Sequence, residues 1–226
     1  MTVEYRVVSI GALSRNRLWG EGAVVRTAHA TTTLVREGER TILVDPSLPS
    51  TVLQARLHER SGLRLADVTD VFCTTLRPVH RRAIEGLDGA AWWAAERELE
   101  AYRHHLEELL ESAGRLRSED AASVREDILL VERFRPAPDG FGPQISLFPL
   151  PGTSPGSCGL LLTPATKTVL VAGDAVLTGE HLAAGQVWQG AWDAEAATES
   201  LREAMEIADI IVPGHDNVVL SPGRMM

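Results

Sequence analysis

The chain has 226 residues, of which 44% are apolar and 23% charged, and a formal net charge of −9. That is enough chain to bury a core without disulfides, and the acidic balance argues against nucleic acid or an anionic membrane surface as a partner. The two cysteines, Cys73 and Cys158, form no CxxC pair and no disulfide framework, so a reducing cytoplasm is the expected compartment.

The start, MTVEYRVVSIGALSRN, lacks the basic end and apolar run of a signal peptide. No stretch of about 18 uninterrupted apolar residues is present to span a membrane. The first third reads as strands: Tyr5–Ile10, Ala23–Thr27, Thr31–Arg36 and Thr41–Val44, with Gly38 in a hairpin turn between the last two. Val52, Leu53 and Leu57 fall at helical spacing in Ser50–Glu59, with Gly62 as a stop. Val68–Thr74 is the next buried strand. The segment Ala90–Arg115 predicts a long helix, with Leu99, Tyr102, Leu106, Leu109, Leu110 and Ala113 on one stripe and Gly114 at its end. Its other face carries Glu, Arg, His104 and His105 and reads as solvated. Pro136–Pro143 is a Pro/Gly-rich loop. Strands follow at Ile145–Leu150, Gly159–Thr163 and Thr168–Ala172. Asp193 caps a helix over Ala194–Ala208 with Leu201, Ala204 and Met205 inward. Ile210–Val212 is a last short strand, and Ser221–Met226 reads as a frayed end. No repeat, low-complexity tract or linker divides residues 1–226, so one domain is expected.

Four loops follow short apolar strands and are rich in small or polar residues. They are Thr74–His80, Pro151–Gly156, Ala172–Ala175 and Pro213–Asp216. Strand-end loops with glycine are where folds tend to place function. Taken singly, Asp174 reads as a turn carboxylate and His215 as a satisfied loop histidine.

Taken together with Leu43-Val44-Asp45-Pro46, the order and spacing of these loops resemble the metallo-β-lactamase superfamily, from about Thr31 to His215. The resemblance implies an α/β (α+β) fold, a four-layer αββα sandwich with a two-metal site at one edge. Asp45 matches the family's strand-end aspartate. In the family's Thr-His-x-His-x-Asp-His loop, Thr75 and Arg77 stand where the first two histidines would be, Val79 stands for the aspartate, and His80 keeps its ligand type. Thr153 replaces the histidine of Pro-Gly-His-Thr-Pro-Gly. Gly173-Asp174 matches the bridging aspartate and Pro213-Gly214-His215 the last histidine.

The departures fall on ligand positions while the Pro and Gly framework stays. One metal position is thus left with Thr75, Arg77 and Thr153, which cannot hold a cation: threonine hydroxyls are poor zinc ligands and a guanidinium has no lone pair to offer. The other keeps His80, Asp174 and His215, and three protein ligands plus a water suffice for one catalytic zinc. The expected cofactor is therefore none or a single Zn²⁺. Arg77 repels a dication and can instead neutralise Asp174 with a forked hydrogen bond.

Two main functions compete. One is an altered or non-catalytic member of the fold, with Asp45, Thr75, Arg77 and Thr153 lining a small-molecule cleft. The other is a mononuclear hydrolase of esters, thioesters or phosphoesters, with Asp174 orienting a metal-bound water. A third, metal-free catalysis by Cys158 or a histidine, runs against the rule that buried cysteines are inert. His29 is a candidate extra ligand on the same rim, and Trp188 and Trp192 are candidate pocket walls. No nucleic-acid or membrane partner is expected, and a homo-oligomer stays open.

Overall fold

The computed structural model describes residues 2–113 and 118–222. Two six-stranded sheets form. The first runs β1 (Glu4–Ser9), β2 (Thr32–Glu37), β3 (Arg40–Val44), β4 (Asp70–Cys73), β5 (Ala91–Ala94) and β6 (Arg135–Pro136) in that spatial order. The second contains β7 (Gly140–Gly142), β8 (Ile145–Pro149), β9 (Cys158–Leu162), β10 (Val169–Gly173), β11 (Ile210–Pro213) and β12 (Val219–Leu220), again in chain order across the sheet. Among the described residues, five α-helices cover them: α1 (Ser50–Ser61), α2 (Glu96–Ala113), α3 (Ser118–Glu132), α4 (Gly179–Ala184) and α5 (Ala194–Ile207).

Alternation along the strands builds three cores. Ile42, Val44 and Phe72 meet Ile145, Leu160, Leu162, Val169, Val171 and Val212 between the sheets. The residues beside them point the other way. Leu43, Val71 and Cys73 pack under α1 and α2 with Leu53, Leu57, Leu99 and Leu106. Leu170, Ala172 and Ile211 pack under α5 with Leu201 and Ala204. Buried strands covered on both faces need apolar residues at every position, which is why these read as continuous apolar runs. The layers are therefore α, β, β, α, as expected. No helix among the described residues is long and apolar enough to cross a membrane.

Several sequence expectations need correction. Ala90–Arg115 is not one helix: Ala91–Ala94 is β5, parallel to β4, and α2 starts at Glu96. Trp92 packs on Phe134 and Trp93 on Phe141, on opposite faces of the sheet. The alanines around them favour helix by propensity, and pairing beside a buried strand overrides that. Leu109 of the expected stripe is 39% exposed, and the inward face is Leu99, Tyr102 and Leu106. Ala23–Thr27 is not a strand. Its backbone bonds to Ser14 in a loop, with Val24 and Val25 exposed. The Pro136–Pro143 loop contains β7, and Val219–Leu220 pairs with β11 as β12. α3 was not foreseen, because the run Ile128–Val131 has no clean helical period. The expected stop at Gly114 lies outside the described residues, as does the end of the Ser221–Met226 segment from 223 on.

β3 and β4 are parallel, as are β10 and β11. Their carboxyl ends therefore emerge at one edge of the sandwich. The two sheets are tied there by the Cys158 N–H donating to the Thr74 carbonyl at 3.0 Å.

Candidate functional site

Asp45, the 74–80 loop, Asp174 and His215 all leave this shared edge. Asp45 is buried and sits at φ 50°, the one non-glycine positive φ among the described residues. Such a conformation costs roughly 1 kcal/mol or more and persists only where the surroundings hold it. Here the Asp45 carboxylate accepts the Thr74 N–H at 2.8 Å and the Thr74 hydroxyl at 2.7 Å, and the Thr32 hydroxyl donates to its carbonyl at 2.6 Å. Gly173 and Gly214 let the backbones close around Asp174. A Cβ on Gly214 would lie 2.7 Å from Asp174 Oδ1, and one on Gly173, at φ 56°, would lie 2.3 Å from Thr74 Oγ1.

His80, Asp174 and His215 converge, all buried, with ligand atoms within 4.8 Å of one another. His80 Nε2 stands 3.2 Å from Asp174 Oδ2, and His80 Nδ1 stands 3.0 Å from Asp45 Oδ2. His215 Nε2 is 3.1 Å from Asp174 Oδ1. His215 Nδ1 lies 2.9 Å from the His29 carbonyl, so that nitrogen carries the proton and Nε2 presents its lone pair inward when the ring is neutral. These separations bring opposite charges together, but the directions of approach are poor. Both His80 nitrogens and Asp174 Oδ1 are buried without a hydrogen bond among the described residues. Orphaned donor atoms on converging His, Asp and His side chains are the chemistry of a cation seat, so this pole fits one metal ion.

Burial opposes a charge on His80, but Asp174 and Asp45 on either side prevail and raise its pKa to about 10. Burial likewise works against the Asp174 carboxylate. His80 and His215 overcome it and hold the carboxyl well below its ordinary range.

The other pole is built differently. Arg77 Nη1 donates to Asp174 Oδ2 at 3.1 Å, while Nη2 donates to the Thr153 carbonyl. The expected fork is therefore shared between two acceptors rather than closed on Asp174. The Trp188 ring covers the guanidinium at 3.9 Å. Thr75 and Thr153 turn their hydroxyls away. The Thr75 hydroxyl donates to Glu98 at 2.7 Å and the Thr153 hydroxyl to Ser157 at 3.2 Å.

Glu98 was read as part of a solvated helix face, yet it is 1% exposed. Its Oε1 accepts from Thr75 and from the Leu76 N–H at 3.0 Å. Its Oε2 accepts from the Ser154 hydroxyl at 2.6 Å and the Gly156 N–H at 3.2 Å. It thus laces two of the four loops together. A strand ending at Ala94 would have placed Glu98 in the first turn of α2, pointing at the site edge. Behind the 74–80 loop, Arg81 is buried and donates to the Leu76 carbonyl at 2.6 Å, to Tyr102 at 3.1 Å and to Asp127 of α3 at 2.5 Å.

The chain matches the sequence model of the metallo-beta-lactamase superfamily over residues 26–215. It belongs to that superfamily. Solved structures agree on the metallo-beta-lactamase fold. One is a candidate metallo-beta-lactamase from Thermotoga maritima, with a TM-score of 0.70, 16% identity, and coverage of 97% of this chain and 100% of that one. A second is AidC, a dizinc quorum-quenching lactonase, with a TM-score of 0.66, 15% identity, and coverage of 87% and 77%. A third is AiiA of B. thuringiensis, as a variant with N-decanoyl-L-homoserine at its active site, with a TM-score of 0.63, 19% identity, and coverage of 96% and 94%. No curated protein matches by sequence.

The remaining sequence candidates lie apart. The His29 ring nitrogen Nε2 contacts the Ile10 carbonyl at 2.9 Å, so the residue reaches the site through its backbone alone. His104 is exposed and pairs with Glu108. Cys73 and Cys158 are both buried. Burial pushes the Cys158 thiol up to about 12 and the Cys73 thiol well above its ordinary value, which leaves neither as a thiolate nucleophile.

Proposed function

We propose that this chain is a strongly altered member of the hydrolase superfamily, in which the Arg77 guanidinium takes the place of one metal and the site serves as a small-molecule cleft. The observation that carries this reading is the Arg77 contact to Asp174 Oδ2 at 3.1 Å, with Arg77 anchored by the Thr153 carbonyl and covered by Trp188. Four family ligand positions hold Thr75, Arg77, Val79 and Thr153. A fixed cation on the shared carboxylate disfavours a neighbouring dication, by about 4 kcal/mol per pair of unit charges at 4 Å in a surface-like dielectric. Asp45 and Asp174 are then balanced by Arg77 and a protonated His80. The acidic surface supports a small-molecule partner rather than nucleic acid.

A second reading keeps one metal on His80, Asp174 and His215, and the orphaned atoms of that trio favour it. A zinc ion there would supply Lewis acidity and a water acidified toward neutrality. In that case the negative charge of Asp45, 3.0 Å from His80 Nδ1, favours the proton on that nitrogen, the His29 carbonyl holds that of His215 Nδ1, and Arg77 is placed to stabilise an oxyanion. The lactonase neighbours direct a substrate screen to lactones and other esters. Zinc content per chain, measured by elemental analysis after zinc loading and dialysis, separates the two. No retained zinc supports the first. About one zinc per chain, lost in His215→Ala, overturns it in favour of the second.

A further inference from the structure

A cleft of about 620 Å³ opens beside Arg77, between the start of α2 and the 153–155 loop. Its apolar wall is Ala101, Tyr102, Pro155 and Trp192. Trp192 is 64% exposed at the rim. A large aromatic left in water beside an apolar concavity is a common mark of a ligand surface.

The polar side of the cleft is selective. Glu98, its buried acid, already accepts four hydrogen bonds and offers nothing to a cationic ligand. The hydroxyl protons of Thr75 and Ser154 are committed to Glu98, and that of Thr153 to Ser157. Glu108 is engaged with His104 at 3.3 Å. The free donors are the remaining N–H groups of Arg77, the guanidinium of Arg97, which has no ion pair among the described residues, and a ring N–H of His105, which stands against the Tyr102 ring. The ligand's polar end must therefore accept hydrogen bonds. Asp174 already balances Arg77, so a single negative charge suits Arg97 better than the double charge of a phosphate.

We propose that this cleft binds a small monocarboxylate with an aromatic or alkyl body. The carboxylate sits on Arg97 and the outer edge of Arg77, and the body lies on Tyr102, Pro155 and Trp192. The proposal rests on the reading of this edge as a small-molecule cleft with Arg77 at its floor. It adds the ligand's class and names Arg97 as its anchor.

The test titrates the full chain, in the presence of a chelator, with 4-phenylbutanoate and with 4-phenylbutan-1-ol. The two probes share a body and differ in the charged end. Binding is read by calorimetry and tryptophan fluorescence. The acid should bind saturably and about tenfold or more tighter than the alcohol, the worth of one charge-assisted hydrogen bond. Arg97→Gln should erase that preference and leave alcohol binding in place. Trp192→Phe should remove most of the fluorescence change. Equal binding of the two probes, no saturable binding, or a preference that survives Arg97→Gln would overturn the proposal. So would acid binding seen with zinc and lost in chelator. Acid preference in chelator, combined with one tightly held zinc in the untreated protein, would overturn the metal-free reading while leaving this one standing.

Discussion

Replacing Arg77 with methionine removes the cation from a carboxylate that is only 4% exposed, while keeping most of the side-chain volume. Breaking a buried pair by deleting one partner costs about 3–5 kcal/mol. Here His80 and His215 still face Asp174, so roughly half of that applies. The lost Trp188 stacking adds about 0.5–1 kcal/mol. The sum is about 2–3.5 kcal/mol, and for a chain of this size that lowers Tm by about 4–14 °C. The same substitution removes the repulsion against a dication, so zinc affinity should rise by about a hundredfold or more. Thermal unfolding in chelator and a zinc titration by calorimetry read both effects. A variant that unfolds with the parent and binds zinc no better would refute the claim that Arg77 stands in for a metal.

Glu98→Gln exchanges one acceptor oxygen for a donor facing fixed N–H groups, and should cost about 2–4 kcal/mol in urea unfolding. An unchanged midpoint would mean that Glu98 does not lace the loops together. In chelator, His80 should stabilise the fold fully below pH 6.5, and that contribution should fade as pH rises through about 10, because its folded pKa is the higher one. The part of the pH slope lost in His80→Gln measures it, and identical slopes would contradict the placement of His80 between two carboxylates. Asp174 has the opposite sign. Its contribution holds above its ordinary pKa of 3.8 and is lost as pH falls further below it. Iodoacetamide at pH 8 should label neither Cys73 nor Cys158 in the folded chain and both in denaturant; rapid native labelling of Cys158 would revive a thiol mechanism.

The strands were legible in the sequence as short apolar runs ending in Asp45, Thr74, Gly173 and Pro213. The sandwich, and the meeting of Asp45, His80, Asp174 and His215 at one edge, were implied by the resemblance that the order and spacing of those ends carry, because each loop read singly is a plain turn. The 90–135 stretch was not legible. Trp92 and Trp93 occupy opposite faces of a strand flanked by alanines, so their signal has period two over only four residues. Losing β5 hid the start of α2, and with it the inward aim of Glu98. Trp188 and Trp192 were legible as candidate pocket walls, but the cover of Trp188 over Arg77 was not, because a loop has no period to say which side chain it meets.

Charge balance explains why Thr75, Arg77 and Thr153 fit together as a set. With histidines in those positions, the shared carboxylate Asp174 would need a cation beyond the His80 pole, and a metal would supply it. With Arg77 present, that cation is covalently part of the chain, and a neighbouring imidazole would add a positive charge or an unpaired lone pair beside it. Threonine at 75 and 153 avoids both, because each hydroxyl is directed at a partner away from Asp174. The Thr153 backbone keeps a role by accepting from Arg77. Restoring histidine at 75 and 153 while Arg77 remains should therefore not build a metal position. Restoring all three should create one, and zinc per chain in the triple variant should exceed that in the double variant by about one. Equal zinc in both would show that the guanidinium was never what held this pole closed.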